Sequence, residues 1–534
     1  MGKDMTDLLT AAQMRAIEQA AVASGQVTGL ELMERAGRGV VEAIFEEWPE
    51  LAHAPGRAVV LCGPGNNGGD GFVVARLLKG WGWEVELFLY GDPERMPPDA
   101  RVNYERWVGM GEVGTLETLL TLSPFPFAQS IGVYIDAIFG TGLARPFAAL
   151  EEFGAWLSFA RDGFRIPVVS VDIPSGICCD SGRWLGVDAD RLHPGFPADL
   201  TVTFHRPKIA HQLQYGPEAC GKMVTVDIGL TEGCVLAVKD FGPPLWGIGK
   251  DIGHKYAHGH ALILSGPSGR GGAARLAARG ALRIGAGVVT VGCPPDAIPE
   301  NAARLDAVML REVADADALA GVLEDRRINA LCLGPGMGTG DREAGLVAEA
   351  LASRGEPRPT GQVGRGSPRL VLDADALTLL SQRTDLFAAL HEGCILTPHA
   401  GEFARLFPDI AARLAEPATK GPAYSKVDAT RDAAARAGCV VLFKGPDTVI
   451  ATPDGRCAIN SATYERAAPW LATAGAGDVL AGFITGLLAR GFSPFDAACT
   501  GAWLHVECAR SFGPGLIAED LPEELPKVFR ALGL

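Results

Sequence analysis

The stretch Arg57-Ala58-Val59-Val60-Leu61-Cys62-Gly63-Pro64-Gly65-Asn66-Asn67-Gly68-Gly69-Asp70-Gly71 decides the fold class. Its first six residues form a nearly unbroken apolar run and read as a buried strand. Gly63 to Gly71 reads as a loop, and Phe72 to Leu78 as the start of a helix. A strand that turns through glycines into a helix opens a βαβ unit, and repeats of that unit build a parallel sheet covered on both faces. Backbone N–H groups at such a turn hold an anion without a basic side chain. The stretch contains GxGxxG, and Glu86 stands about where a dinucleotide fingerprint places its ribose-binding acid, so an NAD-dependent oxidoreductase is one reading. That fingerprint does not need Asn66, Asn67 or Asp70. Their side-chain oxygens suit a cation or a hydroxylated substrate.

Working outward, the pattern repeats. Upstream, Thr10 with Gln13 and Thr28 with Glu31 have capping-box spacing and predict two helix starts. Downstream, Val85 to Tyr90, Ile131 to Ile135, Ile166 to Val171 and Leu200 to Phe204 read as short strands. Two of them run into polar loops. One is Asp136-Ala137-Ile138-Phe139-Gly140-Thr141-Gly142, followed by Arg145; the other is Asp172-Ile173-Pro174-Ser175-Gly176. Each aspartate stands where a parallel strand ends, the zone in which open α/β sheets bind ligands. A lone aspartate there caps a turn about as often as it does chemistry; three such loops together point to a site.

Between Gly229 and Gly253 the alternation lapses among Pro243, Pro244, Gly247 and Gly249, which marks a domain boundary. A second series follows. Ala261 to Leu264, Val288 to Gly292, Leu331 to Leu333, Leu370 to Leu372, Cys394 to Leu396 and Val440 to Phe443 read as strands, and Ala273 to Ile284 as a helix. Ser353 to Ser367, rich in Gly, Pro and Arg, reads as a mobile surface loop. A second glycine-rich segment, Ala472-Thr473-Ala474-Gly475-Ala476-Gly477-Asp478, opens a long apolar helix. Small residues let an anion approach that helix N-terminus. Asp478 in the first turn is placed to take a proton from a hydroxyl beside a phosphoryl group; the plainer reading makes it a helix cap, which does not need the glycines. Asp373-Ala374-Asp375, Thr397-Pro398-His399-Ala400-Gly401-Glu402 and Lys444-Gly445-Pro446-Asp447-Thr448 are further strand-end motifs, the last supplying a cation and backbone donors. His254, His258 and His260 lack a carboxylate–histidine pattern and read as structural.

The chain has 534 residues, too many for one core, so two to four domains are expected. A net charge of −15 with no basic run argues against nucleic acid as a partner. No run of about 18 apolar residues predicts a membrane span, and Met1 to Thr10 does not read as a signal peptide. Twelve cysteines without a CxxC pair read as reduced thiols of a cytoplasmic protein.

The set GPGNNGGDG, DAIFGTG and VDIPSG resembles the NAD(P)H-hydrate epimerase family over roughly Met5 to Gly229. The resemblance implies that Asn66, Asn67, Gly68, Gly69 and Asp70 hold the hydrated cofactor. It also implies contacts from Gly140, Thr141, Gly142, Leu143, Ala144, Arg145, Pro146 and Asp172. A potassium ion would be held by Asn67, Asp136 and Ser175, hard oxygen donors of the kind an alkali cation takes. Asp172 is the candidate acid and base at the hydrated carbon. From about Lys255 to Leu534 the chain resembles the ribokinase-like superfamily and, within it, the NAD(P)H-hydrate dehydratases. That resemblance implies Lys444, Gly445, Pro446, Asp447, Thr448 and Gly477 around ADP with Mg2+. It implies Ala273, Gly336, Gly338, His399 and Asp478 around the hydrate, with Asp478 catalytic. One departure stands out: the family's GGTGD-like loop reads AGAGD here, so Ala476 replaces a residue that is often Ser or Thr.

The expected architecture is therefore α/β in two domains: a Rossmann-like parallel-sheet epimerase domain over residues 1–240 and a ribokinase-like, ADP-dependent dehydratase domain over residues 245–534. The expected partners are NADHX, NADPHX and ADP, with no nucleic acid and no membrane, in a homo-oligomer. A small-molecule kinase with an N-terminal dinucleotide-binding regulatory domain is the alternative, and a pure binding module the third reading.

Overall fold

The computed structural model describes residues 6–534 except 129, 188–194, 196, 232–236, 245, 246, 251 and 354–367. The loop expected over Ser353 to Ser367 lies, beyond Ser353, outside the described residues. The chain forms two compact units, one of Asp7–Val238 with Ala415–Ser425, the other built from Lys239–Leu414 and Lys426–Leu534.

In the first unit seven strands form one parallel sheet: β1 (Arg57–Cys62), β2 (Glu84–Leu89), β3 (Gly114–Thr115), β4 (Ile131–Ala137), β5 (Val168–Val171), β6 (Leu200–Phe204) and β7 (Lys222–Val226). Their spatial order is β3-β2-β1-β4-β5-β6-β7. The order reverses direction between β1 and β4, so a crevice opens there beyond the strand ends. Both expected capping boxes form: Thr10 caps the helix Ala11–Ala23 with Gln13, and Thr28 caps Gly29–Glu47 with Glu31.

One expectation is corrected. Gly63 to Gly71 is not loop throughout, because the helix begins at Asn66 and runs to Gly80. The glycines serve packing, not looseness. A Cβ at Gly68 would sit 1.9 Å from the Gly63 carbonyl oxygen, at Gly69 2.5 Å from Met33 Sδ, and at Gly71 2.7 Å from Ala137 Cβ. A bare backbone brings this helix close against β1 and β4, and its first-turn N–H groups, which have no helical partner, face the crevice region. Glu86 is mid-strand, opposite Val59, and accepts from Arg57 Nε at 2.9 Å. It is a cross-strand ion-pair partner away from the strand's carboxyl end, which removes the main support for the dinucleotide-oxidoreductase reading.

The second unit holds β8 (Val238–Asp240), β9 (His260–Leu264), β10 (Val288–Cys293), β11 (Met309–Glu312), β12 (Ile328–Leu333), β13 (Arg369–Leu372), β14 (Cys394–Leu396), β15 (Val440–Phe443), β16 (Asp447–Ala451) and β17 (Cys457–Ser461). They lie in the order β8-β17-β16-β15-β14-β13-β12-β9-β10-β11. The sheet is parallel from β11 to β15 and turns antiparallel at β15-β16 and β16-β17, a reversal the sequence pattern did not reveal. The helix Ala476–Ala489 is buried along nearly its whole length and packs on the helix Gly272–Arg283. Cβ atoms at Gly482 and Gly486 would lie 2.1 Å from Ala277 O and 2.3 Å from Ile284 Cγ2, so glycine sets the separation of the two helices. His260 is buried and bonded to Thr290 Oγ1 at 2.8 Å, a structural role as expected.

Candidate active sites

In the first unit a cleft of about 980 Å³ opens at the β1/β4 crevice. Asn66, Asn67, Asp70, Gly140, Thr141, Gly142, Leu143, Ala144, Arg145 and Asp172 line it; Gly68, Gly69 and Pro146 do not. Gly140 is the pivot of the lining. A Cβ there would meet Asn67 Oδ1 at 2.7 Å and Asp172 Oδ2 at 3.2 Å, so these two side chains converge on a glycine.

Asp172 follows β5 with a left-handed φ of 68°. Its short polar side chain tolerates that conformation better than most, at a cost of about 1 kcal/mol. Its own N–H donates to Val202 O at 2.7 Å, and its carbonyl contacts His211 Nε2 at 3.0 Å. His211 Nδ1 accepts from the Lys208 N–H at 2.9 Å, so Nε2 carries the ring proton and donates. The carboxylate is fully engaged. Oδ1 accepts from Lys208 Nζ at 2.7 Å and Thr203 Oγ1 at 2.9 Å, and Oδ2 accepts from the Thr141 N–H at 3.2 Å. Burial by itself would raise the Asp172 pKa, but the buried Lys208 ammonium and these donors hold it below the usual carboxylate range. Asp172 is therefore a fixed anion.

Lys208 and Glu18 escaped the sequence reading. Lys208 follows β6 in Arg206-Pro207-Lys208 and is only 1% exposed. A lysine directly after a strand normally marks a solvated turn, so nothing local signalled its burial. Glu18 lines the cleft from the helix Ala11–Ala23. Burial, then the negative charge of Asp172, push its carboxyl up to about 7. Asp70 is likewise pushed well up, first by burial and then by Asp172 and Glu18.

Asp136 and Ser175 lie beneath the lining. Asp136 is 1% exposed and has no cationic side chain against it among the described residues. It accepts from the Ser175 Oγ at 2.6 Å, the Ser175 N–H at 2.8 Å and the Ile138 N–H at 3.2 Å. Burial nevertheless lifts it to about 6. Ser175 Oγ also accepts from the Phe139 N–H at 2.9 Å, which ties both strand-end loops together. The Asn67 amide nitrogen is buried without a partner. A buried carboxylate lacking a counter-cation and a hydroxyl on it are oxygen donors of the kind an alkali cation takes, whereas the unpartnered Asn67 nitrogen is a donor that calls for an acceptor.

In the second unit the expected residues gather around one lysine. Lys444 Nζ donates to Asp373 Oδ1 at 2.8 Å and lies 3.8 Å from Glu402. A Cβ at Gly477 would be 3.6 Å from that ammonium, so Lys444 stands beside the N-terminus of the helix Ala476–Ala489. Gly475, with φ +88°, makes the turn into this helix. Asp478 in its first turn is pushed up to about 6 by burial and by the neighbouring Asp373, with Lys444 only partly offsetting them. His399 caps the helix Ala400–Leu406, its Nδ1 accepting from the Gly401 N–H at 3.0 Å, while Glu402 Oε2 accepts the His399 N–H at 2.9 Å. Gly338 N–H donates to Asp375 at 2.8 Å, and a Cβ at Gly336 would touch that of Ala273 at 3.4 Å, so these segments also meet. Gly445, Pro446, Asp447 and Thr448 form the turn into β16. There Asp447 pairs with the buried Lys426 at 2.6 Å, and Thr448 Oγ1 donates to Gly445 O at 2.8 Å. Lys426 is a further buried cation that the sequence did not mark. Trp470, Thr473, Leu516 and Ile517 border a cleft of about 400 Å³ at the start of the Ala472–Gly475 loop. Among the described residues no three His, Cys, Asp or Glu side chains are placed to hold a metal ion, no helix is long and apolar enough to cross a membrane, and every cysteine is free and buried.

Residues 29–210 match the family described as YjeF-related protein N-terminus, and residues 261–527 the family NAD(P)H-hydrate dehydratase. A bifunctional NAD(P)H-hydrate repair enzyme of Moorella thermoacetica is 36% identical, covering 98% of this chain and 97% of the relative. An NAD(P)H-hydrate epimerase of Roseobacter litoralis is 48% identical over 42% of this chain and its own whole length. A solved ADP/ATP-dependent NAD(P)H-hydrate dehydratase of Bacillus subtilis is 27% identical over 53% of this chain and 94% of that one, with a TM-score of 0.43.

Proposed function

The chain belongs to the bifunctional NAD(P)H-hydrate repair enzymes, and we propose that its first unit interconverts the R and S hydrates of NADH and NADPH while its second dehydrates the S form at the expense of ADP. The observation that carries this reading is the presence of two separate strand-end sites in one chain, each with a glycine-framed helix start and a lysine–aspartate pair. The two activities need each other. Hydration of the nicotinamide ring leaves a hydroxyl on C6 in either configuration, and a stereospecific dehydratase strands one epimer. Hydroxide leaves poorly, whereas phosphate leaves readily, so a kinase-like site suits dehydration.

In the first unit, Asn66, Asn67, Asp70 and the loop Gly140 to Arg145 hold the hydrate. Asp172 faces the ring as an anion that stabilises positive charge developing on it. Asn67, Asp136 and Ser175 would hold potassium, which neutralises Asp136 and keeps the two strand-end loops in register. In the second, Asp478 takes the proton from the C6 hydroxyl as it attacks the terminal phosphoryl group. Ala273, Gly336, Gly338 and His399 frame the hydrate. Lys444, the turn Gly445 to Thr448 and Gly477 receive the nucleotide, and the apolar cleft beside Trp470 suits its base. Mg2+ would travel with the phosphates, as that ion prefers phosphate and water over an all-protein cage. Residues 1–240 form the epimerase and residues 245–534 the dehydratase, less the segment Ala415–Ser425 that clusters with the first unit, in a cytoplasmic homo-oligomer.

The test is a coupled assay on chemically hydrated NADH, with ADP and ATP in parallel. Recovery of absorbance at the dihydropyridine band from both epimers, only with nucleotide, is the expected result. Phosphoryl transfer to an unrelated alcohol without recovery would favour the kinase alternative.

A further inference from the structure

The cleft of the first unit contains an acid that the reaction has so far left unused. On the helix Ala11–Ala23, the core takes Met14, Ile17 and Ala21, while Arg15, Glu18, Gln19, Val22 and Ala23 line the cleft. That spacing of three, four and seven residues is one helix face. Glu18 is the only carboxylate on it. It has no hydrogen-bond or ion-pair partner among the described residues, whereas every oxygen of Asp172 is engaged.

We propose that Glu18 is the proton donor and acceptor of epimerisation, a role that rests on the epimerase reading of this cleft. The protonated Glu18 gives its proton to the C6 hydroxyl. The C6–O bond breaks heterolytically and water departs, while the lone pair on the ring nitrogen forms the C=N bond of a ring cation. Asp172, held ionised by Lys208, faces that cation. Water then adds to C6 from the other side and returns one proton to the Glu18 carboxylate, so the enzyme ends as it began. A group that must give and regain a proton in one turnover works best when its pKa is near the working pH. Glu18, raised to about 7, meets that condition; Asp172, held down, and Asp70, pushed far up, do not. The charged groups around Glu18 are Arg15 on its own helix, and Asp70, Asp99, Arg145, Asp172 and Lys208 from the elements about the cleft.

The experiment is two-dimensional NMR exchange between the R and S hydrates, without nucleotide, on the full chain between pH 5 and 9. Glu18→Gln, near-isosteric, is expected to slow exchange at least about 100-fold with hydrate affinity and melting temperature unchanged. Glu18→Asp should retain measurable exchange with a displaced pH midpoint. In the unaltered protein the rate should fall as pH rises past about 7, because the starting enzyme needs the protonated acid. Near-normal exchange in Glu18→Gln, or a pH limb that survives it and disappears in Asp70→Asn, would overturn the assignment. A complete lack of exchange in the unaltered protein would remove the epimerase reading itself, a separate outcome.

Discussion

Each unit pairs a lysine with an aspartate at the carboxyl edge of its sheet, Lys208 with Asp172 and Lys444 with Asp373, and each keeps a second acid close by with no cation of its own. In the first unit that second acid is Glu18, raised to about 7; in the second it is Asp478, raised to about 6. The conspicuous aspartate of each glycine-rich neighbourhood therefore has opposite character. Asp172 is the partner of the lysine and stays ionised, while Asp478 is the neighbour left over and is pushed toward protonation. Residue type is the same in both, although Asp172 ends a strand and Asp478 stands in the first turn of a helix; where the ammonium sits decides the chemistry.

The largest expected effect tests the second half of that comparison. Asp478→Asn should lower nucleotide-dependent recovery of NADH by about 100- to 10,000-fold while leaving epimerisation intact. Its melting temperature should not fall, because the change removes a carboxylate that burial penalises. Near-normal turnover would take Asp478 out of the mechanism.

The next tests the pairing. Lys208→Met leaves Asp172 buried without its cation, and breaking such a pair costs about 3–5 kcal/mol. Urea unfolding of the full chain should show that loss in the first unit's transition, and adding Asp172→Asn should recover part of it. Asp172→Asn alone should slow epimer exchange by at least about 100-fold. Lys444→Met should cost less, since its side chain is 19% exposed against 1% for Lys208. Equal costs would mean that the two pairs are not distinguished by burial.

The smallest effect is the most diagnostic. A base must be deprotonated to act, so dehydration should rise with pH through about 6, the region of Asp478. An acid must be protonated, so epimerisation should fall as pH climbs past about 7, the region of Glu18. Each limb should approach tenfold per pH unit. Two activities of one chain are thus expected to show limbs of opposite sign, and parallel profiles would dissolve the contrast between the two sites.

The sequence by itself determined whatever depends on near neighbours along the chain. The capping boxes at Thr10 and Thr28 form because the bonding groups are three residues apart. β1, β6, β14 and β15 have the bounds that their apolar runs predict. The strand-end positions of Asp136 and Asp172 and the first-turn position of Asp478 follow from the same local reading. The glycines are legible as special but not as to why: the pattern predicts a loop over Gly63 to Gly71, whereas the glycines let the helix from Asn66 lie against Gly63, Cys62 and Ala137, contacts that a linear pattern does not display. The antiparallel pairing of β16 and β17 was missed because short buried strands carry no mark of direction. Only the tertiary structure brought Lys208 to Asp172, Lys444 to Asp373 and Glu18 into the cleft. A proton affinity is set by burial and by charges within a few ångströms, and those distances come from the folded sheet, not from spacing in the chain.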